Sequence, residues 1–205
     1  MKIPLRYQLT EYDCGPTSVE NAISYLFERE EVPPVIVKQV MLSCLDSFNA
    51  AGELAKGGTS RMAMSFLSEW LNRYGQTFHF PIRCESLTGE AVHVDAQGRI
   101  MQGLREGGVV VLRLRFDCWH YVLVTGADSE CVHIFDPYYR AEPFDTPLIQ
   151  VILDRPKQLN RKVPYAFLDT EEDGIYALGP KVERDAVILF HTASEKARAS
   201  QLTVG

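Results

Sequence analysis

The chain has 205 residues, is 46% hydrophobic and carries a net charge of −6. That is enough apolar material for one domain with a sizeable core, and the acidic balance excludes nucleic acid as a main partner. No run approaches the roughly 18 apolar residues of a membrane-spanning helix; Arg6, Glu11 and Asp13 interrupt any signal-peptide core behind Met1-Lys2-Ile3-Pro4, so a cytoplasmic location with no membrane span is expected.

The first predicted element is a helix over 14–28. Val19, Ala22, Ile23, Leu26 and Phe27 have helical apolar spacing, with Glu20, Asn21, Ser24 and Glu28 on the opposite side. Asp13 stands at the N-cap position and Pro16 in the first turn, where a missing N–H costs nothing. Cys14 therefore opens the helix, where unpaired N–H groups and the helix dipole favour negative charge. The thiolate is the reactive form of cysteine, so this is a suitable place for a nucleophile. Gly15 lets the backbone turn and leaves room for a substrate. Taken alone, Cys14 reads equally well as a small buried hydrophobe. Gln8, six residues earlier, changes the balance, because its amide can join the Cys14 N–H in holding an oxyanion.

A break at Pro33-Pro34 leads to a second helix with Val37, Val40, Met41 and Cys44 inward. Residues 47–58 read as a loop long enough to flank a cleft, or as a plain surface connection. A third helix over 60–74 has Ala63, Phe66, Leu67, Trp70, Leu71 and Tyr74 as its stripe and Gly75 as its stop. Residues 78–84 read as a strand, with His79 and then His93 incidental, and 98–106 as a short helix with Ile100, Met101 and Leu104 inward.

Residues 109–114, 121–125 and 131–135 read as three strands of an antiparallel meander with short turns. Alternation puts His120, Val122 and Val124 on one face, and Val132, Ile134 and Asp136 on one face of the next strand. His120 starts its strand and Asp136 ends the neighbouring one, so antiparallel pairing brings them together. Asp136 would then accept from the imidazole and fix its tautomer. Singly, His120 reads as structural and Asp136-Pro137 as a turn signal.

In the tail, 149–153, 165–168 and 186–190 read as strands extending the same sheet, 154–163 as a solvated basic face, and 195–205 as a frayed polar end. Helices followed by an antiparallel sheet give an α+β fold. One domain spanning 1–205 is expected, with a core at about 1–140 and a tail at 141–205. The five cysteines, Cys14, Cys44, Cys84, Cys118 and Cys131, are odd in number and irregular in spacing, which argues against a disulfide framework. No Cys-x-x-Cys pair exists, and a metal site made of Cys14, Cys118 and His120 is the weaker reading, so neither metal nor cofactor is expected.

Gln8 with Asp13-Cys14-Gly15-Pro16-Thr17-Ser18, then Trp119-His120-Tyr121-Val122-Leu123-Val124, then Ile134-Phe135-Asp136-Pro137, together resemble the bacteriocin-processing leader cysteine peptidases. Gly58-Thr59-Ser60, opening a helix, also looks like that family's middle segment. The resemblance covers about residues 1–140 and implies a papain-like fold, N-terminal helices packed on an antiparallel β-sheet. It implies Cys14 as nucleophile, His120 as base, Asp136 as its orienter and Gln8 in the oxyanion hole, acting on a peptide or peptide-like substrate. The transmembrane and ATPase parts usual in that family are absent from this sequence, and some 65 residues follow the resembling core. The same residue set also suits an acyltransferase like the phytochelatin synthases, or a catalytically silent peptide-binding module. The oligomeric state is not written in the sequence.

Overall fold

A computed structural model describes residues 1–194, so the end expected to fray lies outside the described residues. The elements run α1 (Cys14–Leu26), α2 (Pro34–Cys44), α3 (Arg61–Phe78), β1 (Ile82–Thr88), α4 (Arg99–Arg105), β2 (Val109–Phe116), β3 (Cys118–Ala127), β4 (Cys131–Phe135), β5 (Gln150–Val151), β6 (Arg161–Pro164), α5 (Tyr165–Leu168) and β7 (Asp185–His191). All seven strands form one antiparallel sheet in the order β1-β7-β2-β3-β4-β6-β5. This is the expected α+β fold. No described helix is long and apolar enough to cross a membrane.

The sheet separates two apolar cores. On one face Val109, Val111, Tyr121, Leu123, Phe135, Val187 and Leu189 meet the buried sides of α1, α2 and α3. On the other, Val110, Leu112, Val122, Val124, Ile134 and Ile188 meet Ile100 of α4 and the tail residues Phe144, Leu168, Tyr176 and Leu178. Strands buried on both faces read as continuous apolar runs, which is why β2 and β7 were unmistakable in the sequence.

Several details differ from the sequence reading. Helix α3 does not stop at Gly75; it continues to Phe78 and ends on His79 in the left-handed conformation (φ 56°). Gly75 is buried inside the helix because a Cβ there would lie 2.9 Å from the Ile82 carbonyl oxygen and 3.0 Å from that of Phe80. It serves the close approach of helix to chain, and β1 starts only at Ile82. In α2 the inward row is Ile36, Val40 and Cys44, while Val37 and Met41 are exposed. Phe66, expected in the stripe of α3, is exposed. The stretch 165–168 is a single helical turn, not a strand. The basic run is a solvated face only over residues 154–158: Arg161 is buried within β6. The tail does join the sheet, but its last strand is inserted between β1 and β2.

Candidate active site

Helix α1 carries Cys14 as its first residue, and the hydroxyl of Ser18 donates to the Tyr121 carbonyl (2.9 Å), tying the start of α1 to β3 beside His120. Asp13 does not cap α1 with its side chain. Its carboxylate instead accepts from the backbone N–H groups of Leu9 and Thr10 and from the Thr10 hydroxyl, which shapes the loop between Gln8 and Cys14. Asn21, expected on the solvent side, is buried. It clamps Arg6 at two points, accepting from its N–H (2.7 Å) and donating to its carbonyl (2.8 Å). A buried amide with both ends satisfied is a strong anchor, and it sets the extended segment that carries Gln8. Gly15 has a different use from the one expected. A Cβ there would lie 2.0 Å from Thr59 Oγ1, so the missing side chain makes room for Thr59, not for a substrate.

The meander delivers the other two groups. Leu123 faces Phe135 across β3 and β4. Continuing that register sets Asp136 level with Val122, so His120 is its diagonal neighbour on the same face, a spacing that long side chains bridge. His120 Nε2 lies 2.7 Å from Asp136 Oδ1, and both residues are buried. Cys14 also acts on the ring and favours its charged form; with Nε2 committed to Asp136, Nδ1 is the nitrogen left to face a sulfur. Burial by itself would lower the imidazole pKa. The charge and hydrogen bond of Asp136, with a contribution from Cys14, outweigh it and raise the value from 6.5 to about 10. Burial pushes the Asp136 carboxyl the opposite way, toward protonation. The His120 charge, with hydrogen bonds from His120, Tyr176 and the Tyr138 N–H, prevails and holds it below its ordinary value. The carboxylate is therefore an acceptor, and Nε2–H donates to it.

Gln8 sits against the same corner, its backbone N–H donating to the Pro137 carbonyl (2.9 Å). Its side-chain Nε2 donates to the Thr10 carbonyl (2.8 Å), and its Oε1 is buried without a hydrogen-bond partner. An amide nitrogen carries two donors, so one remains beyond the Thr10 bond. The structure thus pairs His120 with Asp136, sets Cys14 where it acts on the same ring, and leaves Gln8 next to the pair through Pro137.

A cleft of about 530 Å³ opens on one side of Cys14, lined among others by Gly58, Thr59, Arg113, Trp119 and Tyr121. Part of the loop expected near the cleft, Lys56 to Gly58, forms its wall. The Arg113 guanidinium stacks 3.9 Å above the Trp119 ring. Cys118, exposed, also lines this cleft. Another cavity, about 500 Å³ and bordered by Val94, Asp128 and Tyr165, contains no cysteine or histidine. Burial raises the thiols of Cys44 and Cys84 to about 12, as fits inert core residues. Among the described residues no group of three or more His, Cys, Asp or Glu side chains could hold a metal ion.

Three residues that the sequence did not single out surround Asp136. Tyr176 donates to Oδ2 (2.7 Å). Asn160 accepts from the Asp136 N–H and donates to its carbonyl, both at 2.7 Å. Arg161 donates to the carbonyls of Asn160 (2.7 Å) and Tyr138 (3.3 Å). Asn160 and Arg161 sat inconspicuously within the basic run, and Tyr176 left no trace.

Comparison with known proteins gives a family and a distant likeness. The model of the Peptidase_C39 like family matches residues 1–146. No curated protein matches. Among solved structures, the chain is similar to the crystal structure of a double glycine motif protease from an AMS/PCAT transporter in complex with the leader peptide. Identity is 13% and the TM-score 0.45, over 92% of this chain and 90% of that one.

Proposed function

The chain belongs to the Peptidase_C39 like family, and on that premise we propose that it is a cysteine-nucleophile hydrolase that cleaves a peptide or amide bond through an acyl-enzyme. The observation that carries this reading is the 2.7 Å bond from His120 Nε2 to Asp136, on a ring that Cys14 also influences. An imidazole that Asp136 keeps protonated favours the thiolate form of a neighbouring sulfur. Cys14 Sγ attacks the substrate carbonyl carbon. The oxyanion that forms faces the N–H groups at the start of α1, which have no acceptor within the helix, and the remaining Nε2 donor of Gln8. His120 gives its Nδ1 proton to the leaving nitrogen as the C–N bond breaks, and a thioester on Cys14 remains. His120 then takes a proton from water, whose oxygen attacks the thioester carbonyl; the C–S bond breaks, the product carboxylic acid leaves and the thiolate–imidazolium pair is restored. Asp136 holds the ring and its tautomer through both halves. The peptide or peptide-like substrate lies along the cleft beside Cys14.

The test is digestion of a peptide library followed by mass spectrometry. New termini carrying one oxygen from labelled water are expected with the unaltered chain and absent with Cys14→Ala. Cleavage that persists in Cys14→Ala would rule out the nucleophile. Products capped by an added amine, even in water, would turn the reading to acyl transfer.

A further inference from the structure

Residues 1–146 match the family, yet the buried carboxylate of Asp136 is completed from outside that stretch. Oδ1 is taken by His120 and by the Tyr138 N–H (2.8 Å). Oδ2 is taken by Tyr176, forty residues further along the chain. We propose that Tyr176, with Asn160 behind it, is a positioning residue for Asp136, so that the chain beyond residue 146 completes the active site. The inference rests on the hydrolase reading of the same site.

Tyr176 is held in place more firmly than a side chain that merely fills space. It is fully buried, its φ is 62°, and its N–H donates to the Arg115 carbonyl (2.7 Å) while Ala177 O accepts from the Arg115 N–H (2.7 Å). A bulky residue in the left-handed region is uncommon, and such backbone persists where its surroundings dictate it. Here Phe116 and Phe144 contact the ring at 5.5 and 5.8 Å between centroids, and Gly179, itself left-handed, lets the chain pass under Trp119. The hydroxyl is thereby aimed at the one oxygen of Asp136 that neither His120 nor the backbone serves. Asn160 fixes the other side, gripping the Asp136 backbone at both N–H and carbonyl.

A hydrogen-bond donor on the charged form of an acid favours that form. The titratable groups acting on Asp136 are His120 from β3 and Tyr176 from the tail, and the charge of Arg161 in β6 acts in turn on Tyr176. Cys14 acts on the His120 ring. The Tyr176 bond contributes to holding Asp136 ionised, and with it the imidazolium.

The experiment is Tyr176→Phe, which removes one oxygen and keeps the ring. The readout is the rate at which iodoacetamide alkylates Cys14, followed on the Cys14 peptide by mass spectrometry across pH, so that exposed Cys118 is counted separately. Loss of one hydrogen bond to a charged group is expected to slow alkylation about tenfold on the acid side. It is also expected to move the acid limb to higher pH. A tyrosine that served packing alone would change the unfolding midpoint and leave the limb in place, and that result overturns the inference. If Tyr176→Phe does not fold, 3-fluorotyrosine installed at position 176 keeps the shape and donates more strongly; the limb must then move to lower pH, and an unmoved limb again overturns it. A wild-type Cys14 that alkylates no faster than Cys118 would overturn the hydrolase reading and this inference with it. An activated wild-type Cys14 with an unshifted variant overturns this inference alone.

Discussion

Replacing Asp136 by Asn tests the electrostatics of the site most directly, since it keeps the shape and an acceptor oxygen but removes the charge. His120 is almost wholly buried, so without the carboxylate its desolvation acts unopposed, and its pKa must fall from about 10 to below the ordinary 6.5. Breaking a buried pair costs about 3 kcal/mol when the remaining partner can shed its charge, the low end of the usual range. For a chain of this length that corresponds to a fall of roughly 6–12 °C in melting temperature. The cost depends on pH in a defined direction. A raised histidine pKa gives stability that is complete below 6.5 and lost as pH rises through about 10. A lowered Asp136 pKa gives stability present above 3.8 and lost as pH falls toward the lowered value. The gap between wild type and Asp136→Asn should therefore be widest near pH 5–6, between these two ordinary values, and should close toward pH 10. Thermal unfolding over that range, with the His120 ring protons followed by NMR, measures both quantities. A gap that stays constant with pH, or a wild-type ring titrating near its ordinary value, would refute the reasoning.

Three further substitutions probe the frame around the pair. Gly15→Ala sets a Cβ 2.0 Å from Thr59 Oγ1 and must push the cleft wall away from α1. A loss of about 1–3 kcal/mol in denaturant unfolding is expected, together with slower Cys14 alkylation. Gly75→Ala meets two backbone carbonyls that cannot swing aside, so despite a helix-propensity gain of about 1 kcal/mol it should destabilise by about 1–2 kcal/mol net, read from the denaturation midpoint. A more stable Gly75→Ala protein would show that α3 does stop earlier. Gln8→Ala should lower kcat on a cleaved peptide about 100-fold and leave the iodoacetamide rate of Cys14 unchanged, because alkylation forms no oxyanion; a parallel fall in both would assign Gln8 to folding of the corner instead.

The parts of this molecule legible in its sequence are those governed by short-range rules. Period-two alternation and short turns gave the β2–β3–β4 meander, and the register of that meander is what sets His120 beside Asp136. Helical spacing and a proline in the first turn gave the start of α1 at Cys14. What stayed hidden depends on distant neighbours. Asn21 reads as a polar outward residue until Arg6 runs alongside it. Gly75 reads as a stop signal because the nearby carbonyls of Phe80 and Ile82 become neighbours only after the chain reverses. Arg161 sits in a basic run and is buried only because Asn160 and Tyr138 present carbonyls to it. Tyr176 carries no local signature, since its partner lies forty residues earlier.

Strand β1 is joined to the rest of the sheet only through β7, whose residues 185–191 lie at the far end of the described chain. During synthesis residues 185–191 must emerge from the ribosome before this gap can close. Such pairing between sequence-distant segments is intrinsically slow. The nascent thiol at residue 14 thus waits without its finished surroundings until β7 has docked.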